Sequence, residues 1–241
     1  MNEFNRQVGV QPAMDLGLRS FLLGTYRYMG MAMAVTALVA YFFGQFAQTS
    51  PALLGLLYNP FTSLAMVIGI VVGFGAIGRK LPGMTVNGVR MFLFGFAAVM
   101  GIFMSAITLF VAPAIILKIL FMTVAIFAGL SLFGYSTQRN LATYAKYAFI
   151  AFAAFVGISL LGMFFPAIAV TGTAGIVITA IAGIAISVII AWETQYLKQL
   201  YYAYAGDTIM KEKLSAFGAA SLLLSFINLF NILLSLFGGG D

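Results

Sequence analysis

The chain of 241 residues contains no cysteine and no histidine. Without cysteine there is no disulfide, no thiolate metal site and no thiol redox chemistry. Without histidine there is no imidazole to act as base, metal ligand or pH switch. Charge is nearly as scarce. Asp, Glu, Lys and Arg make up 7% of the residues, against about 25% in ordinary soluble domains. Hydrophobic residues make up 63%, and the mean hydropathy is +1.07. So few charges cannot wet a protein surface, and the chain reads as an integral membrane protein. Its apolar residues come in long runs, not in the alternating pattern of a membrane β-barrel. The net charge of +6 lies between those runs, so it speaks for topology and not for a nucleic-acid partner.

The absences also argue against an enzyme. Most hydrolytic dyads and metal sites require the missing Cys or His. Residues 129–134, Gly-Leu-Ser-Leu-Phe-Gly, miss the G-x-S-x-G pattern by one residue, with no His to serve the serine. No Asp lies in an apolar run, which excludes an intramembrane aspartyl protease, and residues 214–237 hold no Lys for a retinal Schiff base.

What is present is a series of apolar runs of spanning length, about 20 residues each. Seven are expected, at 25–45, 61–78, 91–111, 114–134, 144–165, 172–193 and 214–237. Pro113 and Pro166 stand where helices should start and end, because proline lacks an N–H and clashes inside a helix. The expected organisation is a cytoplasmic N-terminal tail (1–24), a seven-helix transmembrane domain (25–237) and a short C-terminal tail (238–241). Glu3, Arg6, Asp15 and Arg19 make the start of the chain a polar amphipathic tail, not a signal peptide. Seven spans put 11 of the 12 basic residues on one side, and only Lys118 on the other. Basic residues collect in the cytoplasm, so the N-terminus is expected inside and the C-terminus outside. Residues 207–213 then form a charged, solvated cytoplasmic loop. Gly69 and Gly73, and the series Gly175, Thr179, Gly183, have the small-residue spacing that lets helices approach closely in lipid.

Two features could carry chemistry. Glu193 is the one acid at a span, at the end of the sixth beside Trp192. It reads equally as a buried functional acid and as an interfacial acid marking the helix end. In the seventh span Ser221, Ser225, Asn228, Asn231 and Ser235 are spaced by 4, 3, 3 and 4 residues. That spacing places all five on one helix face. Lipid cannot satisfy such a stripe, so it should face protein or water. It reads as interhelical glue, worth about 0.6 kcal/mol per bond, or as the lining of a conduit.

Several segments together resemble one family. These are the run from Leu18-Arg19 to Tyr41, Gly-Leu-Ser-Leu-Phe-Gly-Tyr-Ser-Thr-Gln-Arg at 129–139, Trp-Glu-Thr-Gln at 192–195 and Ser-Phe-Ile-Asn-Leu-Phe at 225–230. The chain resembles the Bax-inhibitor family over nearly its whole length, most closely its bacterial YccA-like branch. The resemblance implies an all-α bundle with six helices packed around a central seventh. It also implies a multi-pass protein of the bacterial inner membrane, and a pH-modulated calcium leak gated by two acids sharing a proton. The first acid position is Glu193; the second is Ser225, which cannot carry charge and makes a weaker calcium site. The implied roles are thus Glu193 and Ser225 at an ion and pH gate, with Ser221, Asn228, Asn231 and Ser235 as polar lining. No cofactor is expected, and calcium or another cation is the candidate ion. Beyond the lipid bilayer, the alternative is a non-conducting regulator of a membrane complex such as the AAA protease FtsH. Its handle would be residues 1–20.

Overall fold

The computed structural model describes residues 3–57 and 59–238, and the side chains among them except those of 3–15 and of 51. The charges expected of Glu3, Arg6 and Asp15, much of the proposed handle, and the end of the C-terminal tail (239–241) therefore lie outside what is described.

Among the described residues every regular element is helical. The helices are α1 (Glu3–Ala47), α2 (Pro51–Leu57), α3 (Pro60–Lys80), α4 (Val86–Phe110), α5 (Pro113–Ser136), α6 (Ala142–Phe164), α7 (Gly172–Ala203) and α8 (Thr208–Phe237). All except the short α2 contain a stretch long and apolar enough to cross a membrane, which makes seven spans. Local chemistry sets their ends. The Asn59 side chain accepts the backbone N–H of Thr62 at 2.8 Å, and Pro60 opens α3. Thr85 caps α4 through Gly88 N–H at 3.1 Å, and Asp207 caps α8 through Met210 N–H at 2.8 Å. These side chains replace partners that the first helical turn lacks. Pro113 opens α5, and α6 stops short of Pro166. Arg79 and Lys80 sit in the last turn of α3, where cations favour the helix dipole.

Helix α1 runs unbroken through residues 16–24, expected as the end of the tail, and Leu18, Phe21 and Leu22 there are buried in the core. A second stretch also differs from expectation. The charged stretch 207–213 is not a solvated loop. Asp207 caps a helix that takes up the rest, and Lys213 is buried with its Nζ donating to the carbonyl of Pro82 at 2.9 Å.

The last helix holds the core. More than half of the most apolar stretch of α8 is buried, a larger share than in any other span. Leu222, Leu223, Phe226 and Leu229 form its buried apolar face. Helices α1, α4, α5 and α7 pack along it, while α6 packs chiefly on α7. Helix α3 reaches α8 through the rings of Phe74 and Phe217, 5.7 Å apart. Four helices thus line α8 closely, and a closed ring of six is not among the described contacts.

The close approaches fall at glycines, though not at those the spacing suggested. A Cβ on Gly134 would lie 2.1 Å from the carbonyl oxygen of Ala191, joining α5 to α7. One on Gly101 would lie 2.7 Å from the carbonyl oxygen of Thr36, where α4 meets α1. The hydroxyl of Thr36 crosses the same seam to the carbonyl of Ala97 at 2.9 Å. A Cβ on Gly69 or Gly73 would meet nothing within 4 Å, and α3 has no fully buried residue, so this GxxxG packs on no other helix among the described residues. In the other series Gly183 faces Ile232 of α8 at 3.2 Å, while Gly175 meets the preceding turn at Val170.

Candidate functional site

Glu193 lies on α7, which continues past it to Ala203. Its exposure is 7%, so the interfacial reading gives way to a buried acid. The hydroxyl of Ser221, on α8, donates to Oε1 of Glu193. Ser225 lies one turn further along the same face of α8. Oε2 has no hydrogen-bond partner among the described residues. The nearest hydroxyl is thus Ser221 and not Ser225. Its signal was in the sequence, since Ser221 precedes Ser225 by one helical turn on the same face.

Glu193 and Ser221 line a cavity of about 330 Å³ between α7, α8 and the end of α3. Gly78 of α3 with Leu81 and Pro82 of the turn after it form one wall, and Tyr196 and Tyr204 also line it. No Lys or Arg lines it. A buried carboxyl without a cation beside it is a costly arrangement, and the open Oε2 faces no basic side chain.

The residues after Glu193 reach other elements. The hydroxyl of Thr194 pairs with that of Tyr26 on α1 at 3.0 Å. Gln195 accepts the backbone N–H of Leu141 at 2.9 Å and donates to the carbonyl of Arg139 at 2.8 Å. The motifs at 129–139 and 192–195 therefore meet in space. Glu193, Thr194 and Gln195 tie α7 to α8, to α1 and to the α5–α6 turn within one helical turn. Sequence reading gave no role to Thr194 and Gln195, because neither is charged nor part of a stripe.

The polar stripe on α8 runs from burial to exposure. Ser225 is buried, Asn228 and Asn231 are half-buried, and Ser235 is exposed. Ser235 lines a second cavity of about 380 Å³ at the other end of the bundle, with Ser159 and Thr179. The two ends of the stripe, Ser221 and Ser235, thus open on different cavities.

A seven-helix membrane bundle with a buried acid between its last two helices is the class that these features define. The profile of the family described as "Inhibitor of apoptosis-promoting Bax1" matches residues 18–241. The chain belongs to this Bax-inhibitor family. It is 31% identical to the inner membrane protein YbhL of Escherichia coli strain K12, over 95% of this chain and 94% of that one. It is 27% identical to an uncharacterized protein of Caulobacter vibrioides over 99% of both chains. It is also 27% identical to the uncharacterized protein RP147 of Rickettsia prowazekii, over 93% of this chain and 91% of that one.

Proposed function

We propose that this Bax-inhibitor-family protein is a passive, pH-modulated leak for calcium or another cation, with Glu193 as the titrating acid and no enzymatic chemistry. The observation that carries the reading is the buried Glu193 carboxyl on the Ser221 hydroxyl, at a cavity with no basic side chain. An ionised carboxylate there calls for water or a cation, while a protonated one is satisfied by a neighbouring hydroxyl. The stripe from Ser221 through Ser225, Asn228 and Asn231 to Ser235 is the proposed route between the two cavities. Packing around Ser225 and its buried neighbour Phe226 closes it. The basic ends of the helices face the cytoplasm in this reading, with the N-terminus inside the cell and the C-terminus outside. The membrane is the inner one, as it is for YbhL.

Calcium efflux from liposomes containing the purified chain tests the reading. Flux should rise from mildly acidic to mildly basic pH as Glu193 ionises. Glu193→Gln should flatten that dependence. Identical fluxes for parent and variant across the range would sink the idea.

One observation favours a second reading, a non-conducting regulator of a membrane complex such as the FtsH protease. Ser225 occupies the second acid position, so the gate holds one carboxylate. Affinity capture with the full chain and with a form lacking residues 1–19 separates the two. Loss of a membrane partner on truncation, with no flux from either form, would support the regulator.

A further inference from the structure

A groove of about 510 Å³ lies beside the turn that joins α5 and α6, bordered by Ile126, Leu130 and Phe133 of α5 and by Tyr144 of α6. Its floor is α7 from Ala180 to Ala191 and α8 at Leu229, Ile232 and Leu233. Every lining side chain is apolar except those of Tyr144 and Ser187, and the hydroxyl of Ser187 donates to the carbonyl of Gly183 at 2.7 Å. Such a groove offers little to a polar solute or to water. Twelve residues of α7 extend it over about 16 Å at 1.5 Å per residue. That is about half the 30 Å hydrocarbon thickness of a bilayer, or one leaflet.

One end of the groove, at Leu141 and Tyr144, lies at the α5–α6 turn, and this turn is basic. Arg139 and Lys146 flank Leu141 and Tyr144 of the groove, and both are exposed. Lys198 of α7 joins them, with its Nζ donating to the carbonyl of Tyr135 at 3.3 Å. Among the described residues no carboxylate pairs with this cluster. The sequence has no acid between Asp15 and Glu193, and Glu193 is turned to α8. Among the described residues the one ion pair is Arg90 with Glu212, on other helices. The turn itself is held in place by the two hydrogen bonds from Gln195.

We infer that this groove is a binding site for one anionic phospholipid of the leaflet at the basic end of the bundle. An acyl chain lies along α7 and α8, and the phosphate sits on Arg139 and Lys146 with Lys198 nearby. Basic residues at the membrane surface attract anionic headgroups, and the apolar floor takes the chain. The site is independent of whether the protein conducts.

The test uses the full chain purified in mild detergent. Phosphatidylglycerol and phosphatidylcholine with the same acyl chains are added in equal amounts, and bound lipid is counted by native mass spectrometry. The parent should retain phosphatidylglycerol several-fold over phosphatidylcholine. The double variant Arg139→Gln, Lys146→Gln should lose that preference, with an unchanged unfolding temperature in lipid-free detergent. Arg139→Lys should keep it. Ile184→Trp, which fills the groove from an exposed position, should reduce retention of both lipids. Equal retention of the two lipids by the parent overturns the site, as does a preference that survives the double variant. So does undiminished retention by Ile184→Trp.

Discussion

Gln195 holds Leu141 by its backbone N–H, 2.9 Å from the side-chain oxygen, across 54 residues of sequence. The same side chain holds the carbonyl of Arg139 with its amide nitrogen. A single buried amide thereby satisfies a donor and an acceptor in a turn that has no regular structure. In lipid-embedded protein such groups have few other partners. The adjacent Thr194 is joined to Tyr26, so the backbone around Glu193 is fixed on two sides. The carboxyl consequently meets α8 from a firmly held helix.

Gln195→Ala removes both hydrogen bonds and leaves the Leu141 N–H buried and unpaired. Each unsatisfied buried group costs about 1–3 kcal/mol. The variant should lose about 1–3 kcal/mol and unfold at a lower temperature in detergent. Gln195→Glu, measured at acidic pH where it is protonated, keeps an acceptor for Leu141 and an O–H donor for the Arg139 carbonyl, so its loss should be smaller. Unfolding curves of the three forms check the order; an unshifted Gln195→Ala refutes the clamp.

Glycines of similar sequence context should behave oppositely. Gly134→Ala places a methyl 2.1 Å from the Ala191 carbonyl oxygen, so α5 and α7 must separate. Overpacking of this kind costs about 1–3 kcal/mol. Gly73→Ala meets nothing within 4 Å, and alanine also favours the helix. Its stability should be unchanged or slightly raised. Equal destabilisation of both would contradict this packing.

The contrast marks how far the sequence was legible. Seven spans, the prolines at their ends and the importance of α8 follow from apolar run length and from one polar face. Membrane depth imposes both patterns directly. Glu193 was visible because it is the sole acid at a span. Which glycine touches which helix was not visible, since spacing in one helix says nothing of the helix opposite. Ser221 and Ser225 were likewise on the same face, and only the relative height of α7 and α8 decides which hydroxyl meets Glu193. Lys213 looked like a loop charge because its partner is a backbone carbonyl on another turn, which leaves no trace in composition.

Lys213 links α8 to the turn after α3, a helix that buries nothing else. Lys213→Met keeps the apolar stem and removes the donor to Pro82. Pro82 also lines the Glu193 cavity, so the loosened turn should admit water there. Hydrogen exchange at the backbone amides of residues 78–84 should speed up, while exchange in the core of α8 stays slow. A loss of about 1–3 kcal/mol is expected for breaking this bond to a charged donor. Unchanged exchange in that segment would count against the link.

Ser225→Asp is the sharpest chemical test of the site. Ser225 lies one helical turn from Ser221, whose hydroxyl donates to the Glu193 carboxylate, so the new acid would stand near the old one. Two carboxylates this close titrate as a coupled pair and share a proton over part of the pH range. The variant should bind calcium more tightly than the parent, because hard cations prefer carboxylate oxygens. Its pH response in liposomes should also become steeper. Adding Glu193→Gln to Ser225→Asp should abolish both gains, which separates a paired site from a single new charge. If calcium affinity rises equally with and without Glu193, the two positions do not act on one ion. The proposed gate would then have to be placed elsewhere on α8.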